Sequence, residues 1–235
     1  MVAVVFGSSG GIGRALTERL LASGIHAHVF AVSRTGGRID GAENRQADFT
    51  DDASLKSLAD EIQSFGPLNL CIVASGLLSD GDLQPEKSYR AQSLEAFRRV
   101  FEANTFGPAL IAKHMLPLMP KAERSVFAAL SARVGSISDN RLGGWHAYRA
   151  SKAALNMLIR NFAIEQARRA PESICVGLHP GTVDTGLSKA FQGGVAEEKL
   201  FTPAQAAGYL LGVVDGLTPE DSGKCFDWAG KEVPA

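Results

Sequence analysis

The chain has 235 residues, a formal net charge of -1 and 45% hydrophobic residues, which is the composition of an ordinary globular protein. Its near-neutral charge gives no electrostatic footprint for nucleic acid, and no apolar stretch reaches the ~18 residues of a membrane span. We therefore predict neither nucleic acid nor membrane as a partner. Cys71, Cys175 and Cys225 are an odd, widely spaced trio without C-x-x-C spacing, and the apolar N-terminus has no basic region before it, so we expect a cytoplasmic protein without a metal site.

Short apolar runs alternate along the chain with longer amphipathic segments, and this predicts consecutive βαβ units. We expect an α/β fold with a doubly wound, mostly parallel seven-stranded sheet, helices on both faces, and a single domain over 1–235. The long connections 77–91, 133–146 and 186–202 are candidate functional loops. The predicted strands are 2–6, 26–32, 43–47, 68–74, 124–131, 173–179 and 223–228, and the predicted helices are 12–22, 51–64, 92–118, 147–168 and 203–215.

The first strand ends in a glycine-rich turn that leads into the first helix. Glycine permits positive φ and close approach of the backbone to a ligand, and the free N–H groups of a helix N-terminus favour a diphosphate. The turn therefore predicts a dinucleotide site. Its residues are Gly7, Ser8, Ser9, Gly10, Gly11, Ile12 and Gly13.

The same turn matches G-x-S-x-G, the nucleophile elbow of α/β-hydrolases, with Ser9 as the nucleophile. Such an elbow needs earlier strands to supply an oxyanion-hole loop, and only six residues precede Gly7. The hydrolase order also requires a histidine after the acid, yet the last histidine, His179, precedes Asp184 and Asp227. The context thus favours dinucleotide binding over hydrolysis.

The ends of the second and third predicted strands refine the ligand. An NAD-selective site usually places an acid after the second strand to bind the ribose hydroxyls. Here Ser33 and Arg34 stand there, and a cation suits a 2′-phosphate, so NADP is favoured while NAD stays possible. Asp48, followed by Phe49, could accept a hydrogen bond from the adenine amino group.

Tyr148 and Lys152 lie four residues apart on a predicted helix and therefore share a face. We expect the ammonium to lower the pKa of the phenol by ~2–3 units, which would let it exchange protons near neutral pH. Upstream, Asn104 is a polar residue on an apolar helical stripe. Pro108, four residues later, cannot donate to the Asn104 carbonyl, so the helix should kink and leave that carbonyl free to hold a water.

Taken together, these motifs resemble the short-chain dehydrogenase/reductase family, in its small carbonyl-reductase and C-factor-like branch. The resemblance covers nearly the whole chain and implies an extended Rossmann fold. The branch likeness rests on Arg133-x-Gly135-Ser136-Ile137, Gly143-Gly144 and the segment around Tyr148. The family motifs are Gly7-x-x-x-Gly11-Ile12-Gly13, Asp48, Ala74-Ser75-Gly76, Asn104, Tyr148-x-x-x-Lys152 and Pro180-Gly181-x-Val183-x-Thr185.

The resemblance implies an NADP-dependent oxidoreductase that transfers a hydride between nicotinamide and a small carbonyl or alcohol. Tyr148 would be the acid or base, Lys152 would lower its pKa and bind the nicotinamide ribose, and Asn104 would hold a water linking Lys152 to solvent. The stretch 180–185 would lie beside the nicotinamide. By analogy we also expect a homodimer or homotetramer, built through the two long helices.

Two departures from the family pattern leave an alternative open. Val73-Ala74-Ser75-Gly76 lacks the usual side-chain amides, and Ala132 stands where the family has the serine that polarises the carbonyl. Ser131 is one residue early, and because strand side chains alternate it should point elsewhere unless the strand bends; Ser136 is a second substitute. The alternative is a weakly active or inactive dinucleotide sensor or signalling protein.

The loop 186–202 looks like an apolar lid, because it carries Leu187, Phe191 and Leu200. Trp145 and His146 should lie near the mouth of the pocket. Both features suggest an apolar or aromatic carbonyl substrate.

Overall fold

Strands and helices alternate along the chain, as in an α/β protein. A computed structural model describes residues 1–189, 192–193 and 196–235. Two of the short helical turns adjoin the site: a π-helical turn, Glu102–Phe106, continues the helix Leu94–Phe101, and a 3₁₀ turn, Arg133–Gly135, follows the strand Ser125–Leu130. The elements are β1 (Val2–Phe6), α1 (Gly11–Ser23), β2 (His28–Ser33), β3 (Glu43–Gln46), α2 (Asp52–Ser64), β4 (Leu68–Val73), α3 (Leu94–Phe101), α4 (Gly107–Met115), β5 (Ser125–Leu130), α5 (His146–Ala167), β6 (Ser173–His179), β7 (Thr182–Val183), β8 (Leu200–Phe201), α6 (Pro203–Gly216) and β9 (Cys225–Asp227).

The main sheet has seven strands in the order β3-β2-β1-β4-β5-β6-β9, and every pairing in it is parallel. The strands β1, β4 and β5 are buried along their whole length, as the continuous apolar runs predict for strands covered on both faces. The order reverses between β1 and β4, and the carboxyl ends of the strands beside such a switch point form a crevice. The predicted fold class is confirmed.

Each face of the sheet carries its own hydrophobic core, because successive strand side chains point to opposite faces. On one face Phe6 packs with Leu55 of α2 and Leu155 of α5. On the other, Val5 packs with Leu16 of α1 and Leu210 of α6. The long helix α5 is thereby held against the sheet, with its N-terminal end at the carboxyl edge of β5.

The predicted helix 92–118 is interrupted, as Pro108 led us to expect. The helix changes to π geometry over Glu102–Phe106, where the N–H of Gly107 donates to the carbonyl of Glu102, and Asn104 lies in that turn. The two-residue strands β7 and β8, which pair in parallel, were not predicted from sequence. None of the helices in the described part of the chain is long and apolar enough to span a bilayer.

Candidate active site

A cavity of about 580 Å³ opens at the carboxyl ends of β1, β4 and β5. It brings the predicted catalytic pair together with most of the predicted dinucleotide site. The predicted residues that line it are Gly7, Ser9, Gly10, Gly11, Ile12, Gly13, Arg34, Phe49, Ala74, Ser75, Gly76, Ser131, Tyr148, Lys152, Pro180 and Thr185.

The glycine-rich turn is folded too tightly to admit side chains at two positions. Gly7 has φ +82°, and a Cβ on Gly13 would lie 2.2 Å from the carbonyl oxygen of Gly7, which no side chain tolerates. A Cβ on Gly11 would lie 2.9 Å from Cγ2 of Thr185. Glycine therefore lets α1 begin directly behind the turn, where its first N–H groups have no partner within the helix.

The residues present fit a dinucleotide. The hydroxyl oxygen of Ser75 is buried without a hydrogen-bond partner in the described part of the chain, and Ser75 lines the cavity beside the turn. A buried polar atom of this kind requires a partner. Arg34 lies exposed at the rim, where its guanidinium is available to an anion, and its carbonyl accepts from Nε2 of Gln46 at 2.9 Å.

Four residues predicted to bind the cofactor are not among the described residues that line the cavity. Ser33 is buried at the end of β2. The Asp48 carboxylate accepts from N and Oγ1 of Thr50 at 2.9 and 2.8 Å, and these bonds lower its pKa. Gly181 packs against the rings of Phe201 and Trp228, since a Cβ at this position would lie 2.8 Å from Phe201, and Val183 is buried in the same cluster as these rings. Ser33 and Val183 are thus buried, whereas Asp48 is exposed.

The ammonium of Lys152 is buried beneath the cavity. The residue is 2% exposed, and its Nζ donates to the carbonyl of Leu130 at 2.8 Å. Desolvation lowers the pKa of Lys152 to about 8, against a smaller opposing effect of Cys225.

The expected effect of Lys152 on Tyr148 is contradicted. Burial raises the pKa of Tyr148 to about 12. Nζ of Lys152 lies over the phenol ring, 5.8 Å from its centroid, and its hydrogen bond goes to Leu130. Desolvation of the phenol therefore outweighs the attraction of the cation.

Asn104 is fully buried and joins three segments. Its Oδ1 accepts from N of Leu77 and its Nδ2 donates to O of Leu77, both at 2.8 Å. Nδ2 also donates to Oγ of Ser151 at 3.1 Å, and that hydroxyl donates to the carbonyl of Tyr148 at 2.8 Å. The Asn104 amide thus fixes the chain after β4 to the helix that carries Tyr148 and Lys152.

Neither candidate substitute for the usual serine has an uncommitted hydroxyl. Ser131 lines the cavity, but its Oγ donates to Oδ1 of Asn156 on α5 at 2.6 Å. Oγ of Ser136 donates to the carbonyl of Ala235 at 3.4 Å and accepts from N of Asp139 at 3.1 Å, and Ser136 is not among the described residues of the cavity wall. Ala132 is buried at the end of the strand.

Several residues of the cavity wall were not predicted. Arg99 lines it and donates to the carboxylates of Asp82 and Asp80 at 3.0 and 3.2 Å. Ala103, in the π-helical turn, also lines the cavity. Of the predicted lid, Leu187 lines the cavity, Leu200 lies half-buried in β8, and Phe191 falls outside the described residues.

The family model for short chain dehydrogenases matches residues 1–194. The chain belongs to the short-chain dehydrogenase family. It is therefore a member of a family of NAD(P)-dependent oxidoreductases, and the resemblance found in its motifs is confirmed.

This short-chain dehydrogenase is similar to proteins of several kinds. The C-signal protein of Myxococcus xanthus is 39% identical over 136 residues, which are 58% of this chain and 76% of that protein. The 1-hydroxy-2-glutathionyl-2-methyl-3-butene dehydrogenase of a Rhodococcus strain is 39% identical over 130 residues, but the match spans 54% of its length and 55% of this chain. The solved structure of NADPH-bound carbonyl reductase from chicken fatty liver superposes with a TM-score of 0.82 and 28% identity, covering 100% of this chain and 98% of that one.

Substituting Lys152 in this short-chain dehydrogenase should stabilise the fold. A pKa moved from 10.5 to about 8 corresponds to about 3 kcal/mol at pH 7, and loss of the bond to Leu130 offsets about 1 kcal/mol. We expect Lys152→Met to raise the free energy of unfolding by about 2 kcal/mol in urea denaturation at pH 7.

The pH dependence of the free energy of unfolding tests whether desolvation of the Lys152 ammonium is the cause of this effect. Between pH 8 and 10.5 the unfolded chain binds more protons at Lys152 than the folded chain does, so the wild type gains stability as pH rises and the advantage of Lys152→Met shrinks. The exposed Lys121→Met should change stability by less than about 0.5 kcal/mol at every pH. An advantage of Lys152→Met that is constant with pH contradicts the assignment.

Proposed function

We propose that the protein is an NADP-dependent oxidoreductase that transfers a hydride between nicotinamide and a small carbonyl or alcohol. One observation carries the proposal: a single cavity is lined by the glycine-rich turn, Arg34 and the pair Tyr148 and Lys152. The NADPH-bound carbonyl reductase that superposes on the whole chain and the related Rhodococcus dehydrogenase support it.

The residues that would hold NADP follow the cavity wall from the rim inward. Arg34 would pair with the 2′-phosphate through charge-assisted hydrogen bonds, and the N-terminus of α1 behind Gly11 would face the diphosphate. The unpartnered Ser75 hydroxyl would gain an acceptor. The bound cofactor supplies the hydride chemistry, and the protein supplies orientation and the proton.

Tyr148 would hold the proton that the reduced carbonyl takes up. Its phenol is protonated at neutral pH, as a general acid must be, but a pKa raised to about 12 makes the proton harder to release unless the phenolate is stabilised. Lys152 carries a positive charge at neutral pH because its pKa is about 8, and this cation would stabilise the phenolate left after proton transfer. The hydrogen bonds of Asn104 and Ser151 would hold Tyr148 and Lys152 in fixed positions relative to each other.

The domain organisation, cellular location and oligomeric state are also proposals. We infer a single dinucleotide-binding domain over 1–235 that works in the cytoplasm, where its three buried cysteines, which are free, stay reduced. A homodimer or homotetramer is supported by exposed apolar side chains on the two long helical segments. These are Leu94, Phe106, Met157 and Ile164.

The proton-donor role is tested with Tyr148→Phe, which removes one hydroxyl and keeps the ring. Loss of a general acid costs about 10²–10⁴ in rate, so we expect kcat for NADPH-dependent reduction of aromatic aldehydes and ketones to fall by that factor. The Kd for NADPH should stay within about threefold. The matched control, Tyr89→Phe, alters an exposed tyrosine and should leave kcat unchanged. Wild-type kcat in Tyr148→Phe would refute the role.

The cofactor preference is tested with Arg34→Ala. A charge-assisted hydrogen bond contributes about 1.5–3 kcal/mol, so the KM for NADPH should rise by about 10- to 100-fold while the KM for NADH changes little. Arg90→Ala, at another exposed arginine, should change neither value. Equal changes for both cofactors in Arg34→Ala would contradict 2′-phosphate binding.

A second function, a dinucleotide sensor without turnover, is favoured by the Ser131 hydroxyl, which is committed to Asn156. A missing oxyanion donor costs about 10²–10³ in rate. The same assay separates the two functions. Tight NADPH binding with no turnover in the wild type and in Ala132→Ser supports the sensor, and turnover in the wild type excludes it.

A further inference from the structure

The first turn of α5 begins on an unusual residue. The residue before the helix, Trp145, has φ 50° and ψ 45° and makes no side-chain cap bond to the helix. It is the one non-glycine residue with positive φ in the described part of the chain. That conformation costs on the order of 1 kcal/mol in an L-residue and persists only where its surroundings impose it.

A carboxylate from a distant loop supplies the missing cap. Glu86 is 5% exposed, and both of its carboxylate oxygens lie 3.3 Å from N of Ala147. Its own carbonyl accepts from N of Trp145 at 2.6 Å. A negative group at a helix N-terminus is favoured by the helix dipole and by the unpaired N–H groups there.

The burial of Glu86 is otherwise unexplained. No ion pair of Glu86 occurs among the described residues, although a buried glutamate normally has a charged partner. Among the described residues the carboxylate accepts from the N–H group of Ala147, while the N–H group of Trp145 donates to the Glu86 carbonyl. The carboxylate and the helix terminus therefore satisfy each other.

The same loop also packs against Tyr148. Leu83 forms a small apolar cluster with Ala96, Val100 and Ala147, and the Tyr148 ring packs on it. The Trp145 ring meets the Tyr148 ring edge to face, at 6.3 Å between centroids. The loop thus holds the backbone one residue before Tyr148 and supports its ring.

We propose that Glu86 is a positioning residue for Tyr148: its carboxylate fixes the first turn of α5, and so sets where the phenol stands in the cavity. The inference rests on the proposed function, in which Tyr148 donates the proton. Displacing a catalytic group by about 1 Å can cost about 10²-fold in rate, so a residue that never touches the substrate would control kcat.

Three variants separate the elements of this contact. Glu86→Ala removes the acceptor, Glu86→Asp keeps the charge but withdraws it by one methylene, and Glu86→Gln keeps an acceptor oxygen at the original reach. We expect kcat to fall by about 10- to 100-fold in Glu86→Ala, by less in Glu86→Asp, and by no more than about threefold in Glu86→Gln. The Kd for NADPH should stay within about threefold in all three, and the exposed Lys87→Ala should behave as wild type.

Hydrogen exchange gives a readout that needs no turnover. The amides of 145–148 should exchange at least about 10-fold faster in Glu86→Ala than in the wild type, because the N–H group of Ala147 loses its acceptor and the first turn of α5 is held less firmly. The amides from Lys152 onward should be unchanged. If Tyr148→Phe retains wild-type kcat, the proposed function fails, and faster exchange at 145–148 still shows that Glu86 holds the turn. Should Glu86→Ala not fold, Glu86→Asp carries the test.

Two results would overturn the inference. One is wild-type kcat together with wild-type exchange at 145–148 in Glu86→Ala and Glu86→Asp. The other is a parallel loss of NADPH affinity and of protection throughout the sheet, which would make Glu86 a general support of the fold and not a positioning residue for Tyr148.

Discussion

The carboxyl edge of the sheet is arranged around a positive charge held out of water. Lys152 is buried, and its Nζ donates to the carbonyl of Leu130. Its lowered pKa of about 8 means that burial destabilises the charged ammonium by about 3 kcal/mol at neutral pH relative to the unfolded chain. The helix α5 that imposes this position is packed along the sheet by its apolar face. A desolvated cation beside a cavity is a strong partner for an anion or a phenolate.

The remaining contacts of the site keep the segments around that charge fixed. Asn104 ties the chain after β4 to Ser151 of α5, and Glu86 caps the turn of the same helix before Tyr148. On the opposite side, the contact of Gly13 with the carbonyl of Gly7 lets α1 start close to the sheet. The proposed catalytic pair and the glycine-rich turn belong to different segments, and these contacts set the distance between them.

Much of this arrangement was predictable because it is encoded locally. Continuous apolar runs defined the buried strands, and the spacing of Tyr148 and Lys152 placed both on one helix face. Pro108 predicted the interruption of the helix at Asn104, since a missing N–H acts on the residue four positions earlier. The glycine-rich turn and Arg34 follow the first and second predicted strands, and this placed both at one edge of the sheet.

What the sequence left open depends on contacts between distant segments. Glu86 lies 61 residues from the amide that it caps, and a buried glutamate in a loop carries no local signal. The hydroxyl of Ser131 is directed by Asn156, which no spacing rule links to it. The direction of the Tyr148 pKa shift was wrongly expected because it depends on how far each group is desolvated, and that is a property of the packed structure.

The most direct test is an NMR titration of the protein labelled with ¹³C at lysine Cε, with Lys152→Met to assign the signal. The account predicts that Lys152 titrates near pH 8, well below the reference value of ~10.4 for a lysine in a model peptide. A Lys152 signal that titrates at this reference value would show that its ammonium is solvated, and would contradict the buried charge on which the site is built.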